Sequence, residues 1–526
     1  SADCFVVGNS TFANNTATSN GGVIFNYGIG FVVGNSTFMN NSAADGAGAI
    51  LNGGRGFVVG NSTFANNTAT SKGGAIYNYG IGFVGNSTFA NNTAEDAGAV
   101  YNEGDNSVVG NSTFVNNTAT SIGGAIINNG KLVVDNSAFE DNAANYYGGA
   151  IFNRDDLQVT NSAFDGNDIL VRNIRAMDNV DHGGAAIYNW KNGKLDISKS
   201  NFTNNIKNYK NGNLLVGAVA TIGDATISDS YFVNNSGRWG GAITTSGSSL
   251  PGKKVNELSI SDSTFSKNGG LYGAGIFIQG SKFSITSCVF DSNTASGKGN
   301  MTPNDNNGAA IEVTNTDKSI TGTISKSTFT NNKAQYGGAI DICEGNIKIT
   351  DSEFVNNSAD VEGGAIDINT VNGNPEVSIS DSKFINNSAS YGGAIVNVKD
   401  LTVRNTEFVN NTPDAIFNYV GFGGNLDLGI ENFTDLQNAI GLVTGTLTLN
   451  QNVVMTDDEA ANFVNGVIIN KNIRIDGKGH TIDAKNLGRI FEIDGGFAVT
   501  LTNVTLINGK ADNGGAIYNF GNLDLV

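Results

Sequence analysis

The sequence has few of the residues that mark several common classes of protein. Its 526 residues include 4 prolines, 3 cysteines and 2 histidines, and no run of ~20 apolar residues. Neither a transmembrane helix nor direct membrane insertion is therefore expected. Cys4, Cys288 and Cys343 are far apart and odd in number, which argues against a disulfide framework. His182 and His480 are also far apart, which argues against a histidine metal site or a catalytic triad.

Positive charge is scarce as well. The chain has 30 Lys and Arg residues against 48 Asp and Glu residues, for a formal net charge of -18. It has little with which to neutralise a phosphate backbone, so nucleic acid is not an expected partner. The chain is rich instead in glycine, with 70 residues, and in Asn, Ser, Thr, Val, Ile and Phe. This composition favours short strands joined by tight turns.

One motif recurs at intervals of roughly 25 residues, which is the signature of a solenoid. Its phenylalanines are Phe12, Phe38, Phe64, Phe89, Phe114 and Phe139. Beside them recurs a tetrad of small and apolar residues, at Gly21–Ile24, Ala47–Ile50, Gly73–Ile76, Ala97–Val100 and Gly123–Ile126. We expect each repeat to be one coil of a stack, because a unit this short cannot bury a core alone.

Each repeat predicts three short strands. The first alternates apolar and variable residues, as in Leu132–Val134, and the second is Ser-x-Phe. The third is Gly-Gly-Ala-Ile-x-Asn, with Ile in the last position in Gly337–Ile342. Stacked at ~4.8 Å per coil, these strands form an all-β, right-handed parallel β-helix. The phenylalanines then form an internal aromatic stack and the asparagines form ladders of side-chain amides.

Residues near 434–443 predict a short amphipathic capping helix. Thr434 and Gln437 have the spacing of a capping box, with Thr434 as N-cap and Gln437 reaching back to it. The apolar residues that share one face of this helix are Leu436, Ile440 and Val443.

The helix suggests a division of the chain. Residues 1–429 form the repeat array, and residues 430–526 form the helix-capped start of a second, truncated parallel β-helix. The sequence begins and ends inside a repeat, so we expect a segment of a longer polypeptide whose other parts carry the export and anchoring signals.

The repeats resemble two families of surface protein. Phe-x-x-Asn at Phe12–Asn15, Phe64–Asn67 and Phe114–Asn117, paired with Gly-Gly-Ala-Ile, resembles the repeats of chlamydial polymorphic outer-membrane proteins. The longer Gly-Gly-Ala-Ile-Tyr-Asn pattern, with residues 476–484 and 489–493, is similar to adhesin-like surface proteins of methanogenic archaea. These resemblances imply a right-handed parallel β-helix, secretion, a cell-surface location and attachment to other cells or to polysaccharide.

Aromatic residues occupy the slot that follows the isoleucine of the third strand. If this slot faces outward, an exposed row of rings runs along a bare Gly-Gly-Ala strip and suits stacking on sugars. In the alternative parity, which stays open, alanine faces outward and the rings fill the core. The aromatic residues of the slot are Phe25, Tyr77, Tyr101, Phe152, Tyr188, Phe277 and Phe417.

The two tryptophans suggest a second, discrete ligand site. Trp190 and Trp239 flank the third strand near inserted turns that contain Arg172, Arg175 and Tyr209. The alternative is ordinary packing of long loops.

Glu312, Asp341 and Asp367 fill the same slot in successive coils. We expect a solvated acidic stripe, with a bound cation such as structural calcium as the alternative; no other cofactor is expected. No Arg or Lys in neighbouring slots completes a lyase site. Five sequons, at Asn9, Asn35, Asn61, Asn86 and Asn111, are candidates for glycosylation, although the periodicity alone generates them.

These features favour a non-enzymatic, extracellular adhesin or structural rod at the cell surface, whose partners are cell-surface glycans or other cells. A polysaccharide lyase or glycoside hydrolase of the parallel β-helix type is one alternative. A self-associating extracellular filament, with copies of the chain as partners, is the other.

Overall fold

A computed structural model shows a right-handed parallel β-helix of about 18 coils, with one short α-helix towards the C-terminus. The predicted fold class is therefore confirmed. The structure describes residues 5–170, 182–205, 215–246, 255–296, 308–314, 320–369, 374–419 and 424–526. The chain divides into two units, Ser1–Asn300 with Ala309–Asp317, and Met301–Gly308 with Lys318–Val526.

Each full coil of the first unit contributes strands to three parallel sheets, which we name A, B and D, and most coils add a fourth, short strand between B and D, which we name C. Sheets A, B and D are the three predicted strands, and sheet C is an additional short strand inside the predicted turn. The strands of sheet A are Val6–Gly8, Val32–Gly34, Phe57–Gly60, Gly82–Gly85, Ser107–Gly110, Leu132–Asp135, Asp156–Thr160, Lys194–Ser198, Asp224–Ser228, Glu257–Ser261 and Lys282–Thr286. The strands of sheet B are Thr11–Ala13, Thr37–Met39, Thr63–Ala65, Thr88–Ala90, Thr113–Val115, Ala138–Glu140, Ala163–Asp165, Asn201–Thr203, Tyr231–Val233, Thr264–Ser266 and Val289–Asp291.

Sheets C and D complete the coils of the first unit. The strands of sheet C are Thr16–Ala17, Ser42–Ala43, Thr68–Ala69, Thr93–Ala94, Thr118–Ala119, Ala143–Ala144 and Asp168–Ile169, with His182–Gly183, Leu215–Val216, Gly269–Gly270 and Thr294–Ala295 in short separate pairings. The strands of sheet D are Ile24–Asn26, Ile50–Asn52, Ile76–Asn78, Val100–Asn102, Ile126–Asn128, Ile151–Asn153, Ile187–Asn189, Val219–Thr221, Ile243–Ser246, Ile276–Gln279 and Ile311–Thr314.

The second unit is also built of short parallel strands, and after the helix each full coil has three of them. Before the helix its strands are Thr321–Ser325, Thr328–Thr330, Lys333–Tyr336, Ile340–Ile342, Asn346–Thr350, Glu353–Val355, Ser358–Glu362, Ile366–Ile368, Glu376–Ser380, Lys383–Ile385, Ile395–Asn397, Asp400–Arg404, Glu407–Val409, Ile416–Asn418 and Leu426–Asp427. After the helix they are Val443–Thr448, Val453–Val454, Val467–Ile469, Ile473–Asp476, Thr481–Asp483, Phe491–Ile493, Ala498–Thr502, Thr505–Ile507, Ile517–Asn519 and Asn522–Leu525.

The predicted phenylalanine stack lies at the centre of the coils. Phe114 is fully buried, and its ring centroid lies 4.7 Å from that of Phe89 and 4.8 Å from that of Phe139, with 3° between the ring planes in both pairs. The spacing equals the ~4.8 Å between paired strands, so the backbone ladder itself brings the rings into van der Waals contact.

The predicted amide ladder runs beside the rings. Asn117 Nδ2 donates to Asn142 Oδ1 and to the Phe89 carbonyl, both at 2.9 Å, while Asn117 Oδ1 accepts from the backbone N–H of Asn92 at 3.1 Å. Asn116, the residue before it, adopts a left-handed conformation with φ of 54°. Asparagine tolerates this conformation better than most residues. The side chain of Asn116 therefore points outward, and that of Asn117 points into the coil.

The α-helix spans Phe433–Leu442 and buries Leu436 and Ile440 as expected, but its predicted N-cap is wrong. The N-cap is Asn432, whose Oδ1 accepts from the Asp435 N–H at 2.9 Å. Phe433 is already helical because its buried ring fixes the start of the helix one residue before Thr434.

Other groups take the roles expected of the capping box. Glu459 Oε1 accepts from the Thr434 N–H at 2.6 Å, and Glu459 also closes a capping box with Thr456. Burial acts to raise the pKa of Glu459, but the hydrogen bonds from Thr434 and Thr456 outweigh it and lower that pKa. Gln437 instead exchanges two hydrogen bonds with the backbone of Ile468.

Strand pairing continues on both sides of the helix. Val443–Thr448 pairs with Ile416–Asn418 through its first residues and with Ile473–Asp476 through its last. The helix is thus an insertion between paired strands of the second unit. The proposed division at residues 429 and 430 stays a prediction.

We predict that Phe114→Ala lowers the free energy of unfolding by ~3–5 kcal/mol, because the truncation leaves a cavity between two stacked rings. Chemical denaturation of the variant, the wild type and a control, Thr113→Ala, measures the difference. Thr113 is the half-buried neighbour whose side chain points out of the coil. An unchanged midpoint for Phe114→Ala would show that the stack contributes little.

Candidate functional site

The predicted aromatic row lies on the outer face of sheet D. Ile76 and Asn78 line the interior of the coil together with Phe57 and Val84, so strand alternation directs Tyr77 outward. The ring is nevertheless buried, with 5% of the residue exposed. Tyr101, Phe152, Tyr188 and Phe277 are buried too, whereas Phe25, in the first described coil, is 54% exposed. The prediction of an exposed row of rings is therefore wrong for most of its members.

The turn before each third strand covers these rings. Tyr77, Tyr101 and Phe152 form a hydrophobic cluster outside the sheet with Ala97 and Ile122 of these turns. The glycines make this close approach possible: a Cβ added at Gly123 would lie 2.5 Å from Ile127 Cγ1. The sequence suggested a bare Gly-Gly-Ala strip, but glycine here lets the turn pack on top of the sheet.

A polar network closes one part of this cluster. Tyr77 Oη donates to Glu103 Oε1 at 2.9 Å, and Lys72 Nζ lies 3.8 Å from the same carboxylate oxygen. The Lys72 ammonium also lies 4.7 Å from the centroid of the Tyr101 ring, a cation–π contact. Burial and the hydrogen bonds with Tyr79 and Glu103 raise the pKa of Tyr77. The hydroxyl thus stays neutral and acts as a structural donor.

The two tryptophans pack against this same cluster, and both are half-buried. The Trp190 ring centroid lies 6.0 Å from those of Phe152 and Tyr188. Arg238 covers Trp239, with its guanidinium carbon 4.8 Å from the ring centroid. The other predicted members of this site, Arg172, Arg175 and Tyr209, lie outside the described residues. The discrete ligand site stays a prediction.

The predicted acidic stripe is not solvated. Glu312 in the first unit is 5% exposed, and in the second unit Asp341 and Asp367 are 0% and 1% exposed. Asp341 and Asp367 are direct partners on neighbouring strands. Asn369 Nδ2 donates to Asp341 Oδ1 at 2.6 Å and lies 3.5 Å from Asp367 Oδ2. As with the aromatic row, these side chains are buried although strand alternation alone predicts that they face solvent.

Burial determines the ionisation state of Asp367. It raises the pKa of Asp367 to about 7, and the nearby Glu362 carboxylate adds to the shift, while Asn369 opposes it. Burial also raises the pKa of Glu362. Among the described residues, no three or more His, Cys, Asp or Glu side chains are arranged to hold a metal ion. A structural calcium ion stays an untested expectation.

The cysteines and the sequons occupy contrasting environments. Cys288 and Cys343 are buried thiols, and burial raises the pKa of Cys288 to about 11, so it is not a reactive thiolate. The five sequon asparagines are exposed and left-handed, with φ between 46° and 49° in every case: Asn9, Asn35, Asn61, Asn86 and Asn111.

Comparison with known proteins supports the repeat and little beyond it. Residues 9–27, 61–79 and 326–342 match the family model of the Chlamydia polymorphic membrane protein repeat. No curated protein matches the chain. Among solved structures, the chain is similar to the PL6 family alginate lyase AlyGC at 11% identity, over 100% of this chain and 97% of that one, with a TM-score of 0.18. A likeness this weak carries no argument about activity. In the part of the chain that the structure describes, no helix has the length and apolar character to cross a membrane.

The buried acid pair predicts that stability falls as pH rises. Because the folded pKa of Asp367 lies above the usual value of 3.8, its contribution to stability is complete below pH 3.8 and is lost as the pH rises from there through about 7. We expect the free energy of unfolding to fall by on the order of 2–4 kcal/mol between pH 4.5 and 8.5 from this group. Asp367→Asn, which cannot ionise, should remove most of that fall.

Denaturant unfolding of the full chain at both pH values measures this difference. Asp351→Asn changes an exposed carboxylate of the same unit and serves as the control. Equal pH dependence in Asp367→Asn and the wild type would contradict the prediction.

Proposed function

We propose that this chain is an extracellular, non-enzymatic surface protein that attaches its cell to glycans or to other cells. The observation that carries the proposal is the repeat, because three segments match the repeat of the polymorphic membrane proteins. The likeness to adhesin-like proteins of methanogenic archaea, read from the sequence, points the same way and suggests an archaeal source.

The burial of the carboxylates supports a binding role over an enzymatic one. A glycosidase or lyase needs carboxylates that contact the sugar chain. The carboxylates that the sequence placed in a column, Glu312, Asp341 and Asp367, are at most 5% exposed. Carboxylates this deeply buried do not contact a polysaccharide at the surface of the folded chain.

The exposed sequons fit an exported protein. Their asparagines project from turns where a glycan would meet solvent rather than core. Successive coils are only ~4.8 Å apart, so we expect partial occupancy rather than a sugar on every coil.

Incubation with a panel of plant, mucin and microbial polysaccharides, with and without calcium, tests the proposal. We expect retention of the protein on at least one polymer without the release of new reducing ends. New reducing ends would establish an enzyme and overturn the proposal. Absence of retention on polymers and on intact cells would also overturn it, and concentration-dependent sedimentation would then support a filament.

A further inference from the structure

A one-residue shortening of one coil turns a phenylalanine outward. Phe31 and Phe57 stack inside the coils, and both are 1% exposed. In the next coil the pairing places Gly82 opposite Phe57 and Phe83 opposite Val58. Because a shift of one residue moves every side chain of a strand to the other face, Phe83 points outward and is 42% exposed. A cavity of about 20 Å³ beside Gly82 and Ser107 remains where the ring is missing.

The outer face of sheet A around Phe83 is apolar and has little cover. Phe83 is paired with Val108, which is in turn paired with Val133, and both valines are half-buried. The ring lies across Gly85, where an added Cβ would come within 2.6 Å of it, and no atom lies within 4 Å of the corresponding point at Gly60. The same outward slot in later coils holds polar residues, in order Gln158, Asp196, Thr226 and Ser259.

A groove of about 340 Å³ lies where the apolar face ends. Val108 and Val133 form part of its floor, and Lys131, Asp156, Lys194 and Asp196 stand around it. Lys131 Nζ lies 4.0 Å from Asp156 Oδ2, and Lys194 Nζ lies 2.6 Å from Asp196 Oδ2. Two cations and two anions sum to zero, so the rim offers donors and acceptors without a net charge.

We propose that this groove binds a neutral oligosaccharide. A sugar has an apolar C–H face, which would rest on Val108 and Val133 in the groove and on the Phe83 ring of the adjoining strand, and hydroxyls, which would bond Gln158 and the charged rim. The volume falls in the range of about 300–1,000 Å³ that is usual for small-molecule sites. The inference rests on the proposed function and names the site at which it acts.

Other occupants fit this surface less well. An extended peptide binds a sheet at an unpaired edge, but the groove lies on the face of a sheet whose strands are paired on both sides. A second copy of the chain would have to bury the charged rim away from water, at a cost that paired charges repay only with good geometry. An acidic polysaccharide would meet Asp156 and Asp196 as readily as the lysines.

Titration of the full chain with cellotetraose, mannotetraose and tetragalacturonate, followed by calorimetry and saturation-transfer NMR, tests the site. We expect saturable binding of at least one neutral tetrasaccharide. Phe83→Ser and Val133→Glu should each weaken it at least tenfold. Tyr231→Ser and Val289→Glu change exposed residues of sheet B, 54% and 40% exposed, and should bind as the wild type does.

Failure of the wild type to bind either neutral tetrasaccharide overturns the site, as does unchanged binding by Phe83→Ser and Val133→Glu. Tighter binding of tetragalacturonate than of the neutral sugars overturns the assignment of ligand class. If the wild type, Phe83→Ser and Val133→Glu are retained equally on a polysaccharide of the panel, the proposed site is wrong while the proposed function stands. If the wild type is retained neither on any polysaccharide of the panel nor on intact cells, the proposed function is wrong.

Discussion

The column of buried asparagine amides is the constraint on which the rest of the structure depends. An amide in the middle of the column joins its own coil to both neighbours, since it donates to the next asparagine and to the carbonyl of a phenylalanine one coil back. Asn205, for example, donates to Asn235 Oδ1 at 2.9 Å and to the Phe164 carbonyl at 3.1 Å. A buried amide left without these partners is costly, so the segment from phenylalanine to asparagine cannot change length. Insertions appear elsewhere: the separation between successive ladder asparagines is 25 or 26 residues in the early coils and 38 between Asn167 and Asn205.

With the interior fixed in this way, differences along the chain are confined to the outer faces. On sheet D the preceding turn packs over the strands, and this turns outward aromatic rings and carboxylates into a second, smaller core. On sheet A the outer slots are free to vary, and they pass from valine and phenylalanine to serine, threonine and charged residues. Binding surfaces on such a scaffold arise from the sequence of these outer slots, while the ladder holds them in register.

The features that could be predicted from the sequence are those that follow from its local periodicity. Spacing alone gave the coil, the stacked rings at Phe114 and the ladder at Asn117, because like residues recur at fixed intervals. It failed for Tyr77 and Asp367, whose burial depends on a turn folding back over the sheet, a packing event that alternation does not encode. Phe83 was missed although a signal existed: its coil is one residue shorter before the strand, and a shift of one residue reverses the face of a side chain. The helix start at Asn432 depended on the burial of Phe433, which also lies beyond local pattern.

Hydrogen exchange in Asn117→Leu tests most directly whether the amide column holds neighbouring coils together. Leucine matches asparagine roughly in size but offers no acceptor to the Asn92 N–H and no donor to the Phe89 carbonyl. We expect the backbone N–H of Asn92 to exchange at least tenfold faster in a chain that remains folded. The outward substitution Val115→Ala should cause no such change. Unchanged protection at Asn92 in folded Asn117→Leu would contradict this expectation, and would assign the cohesion of the coils to the backbone ladder and the phenylalanine stack alone.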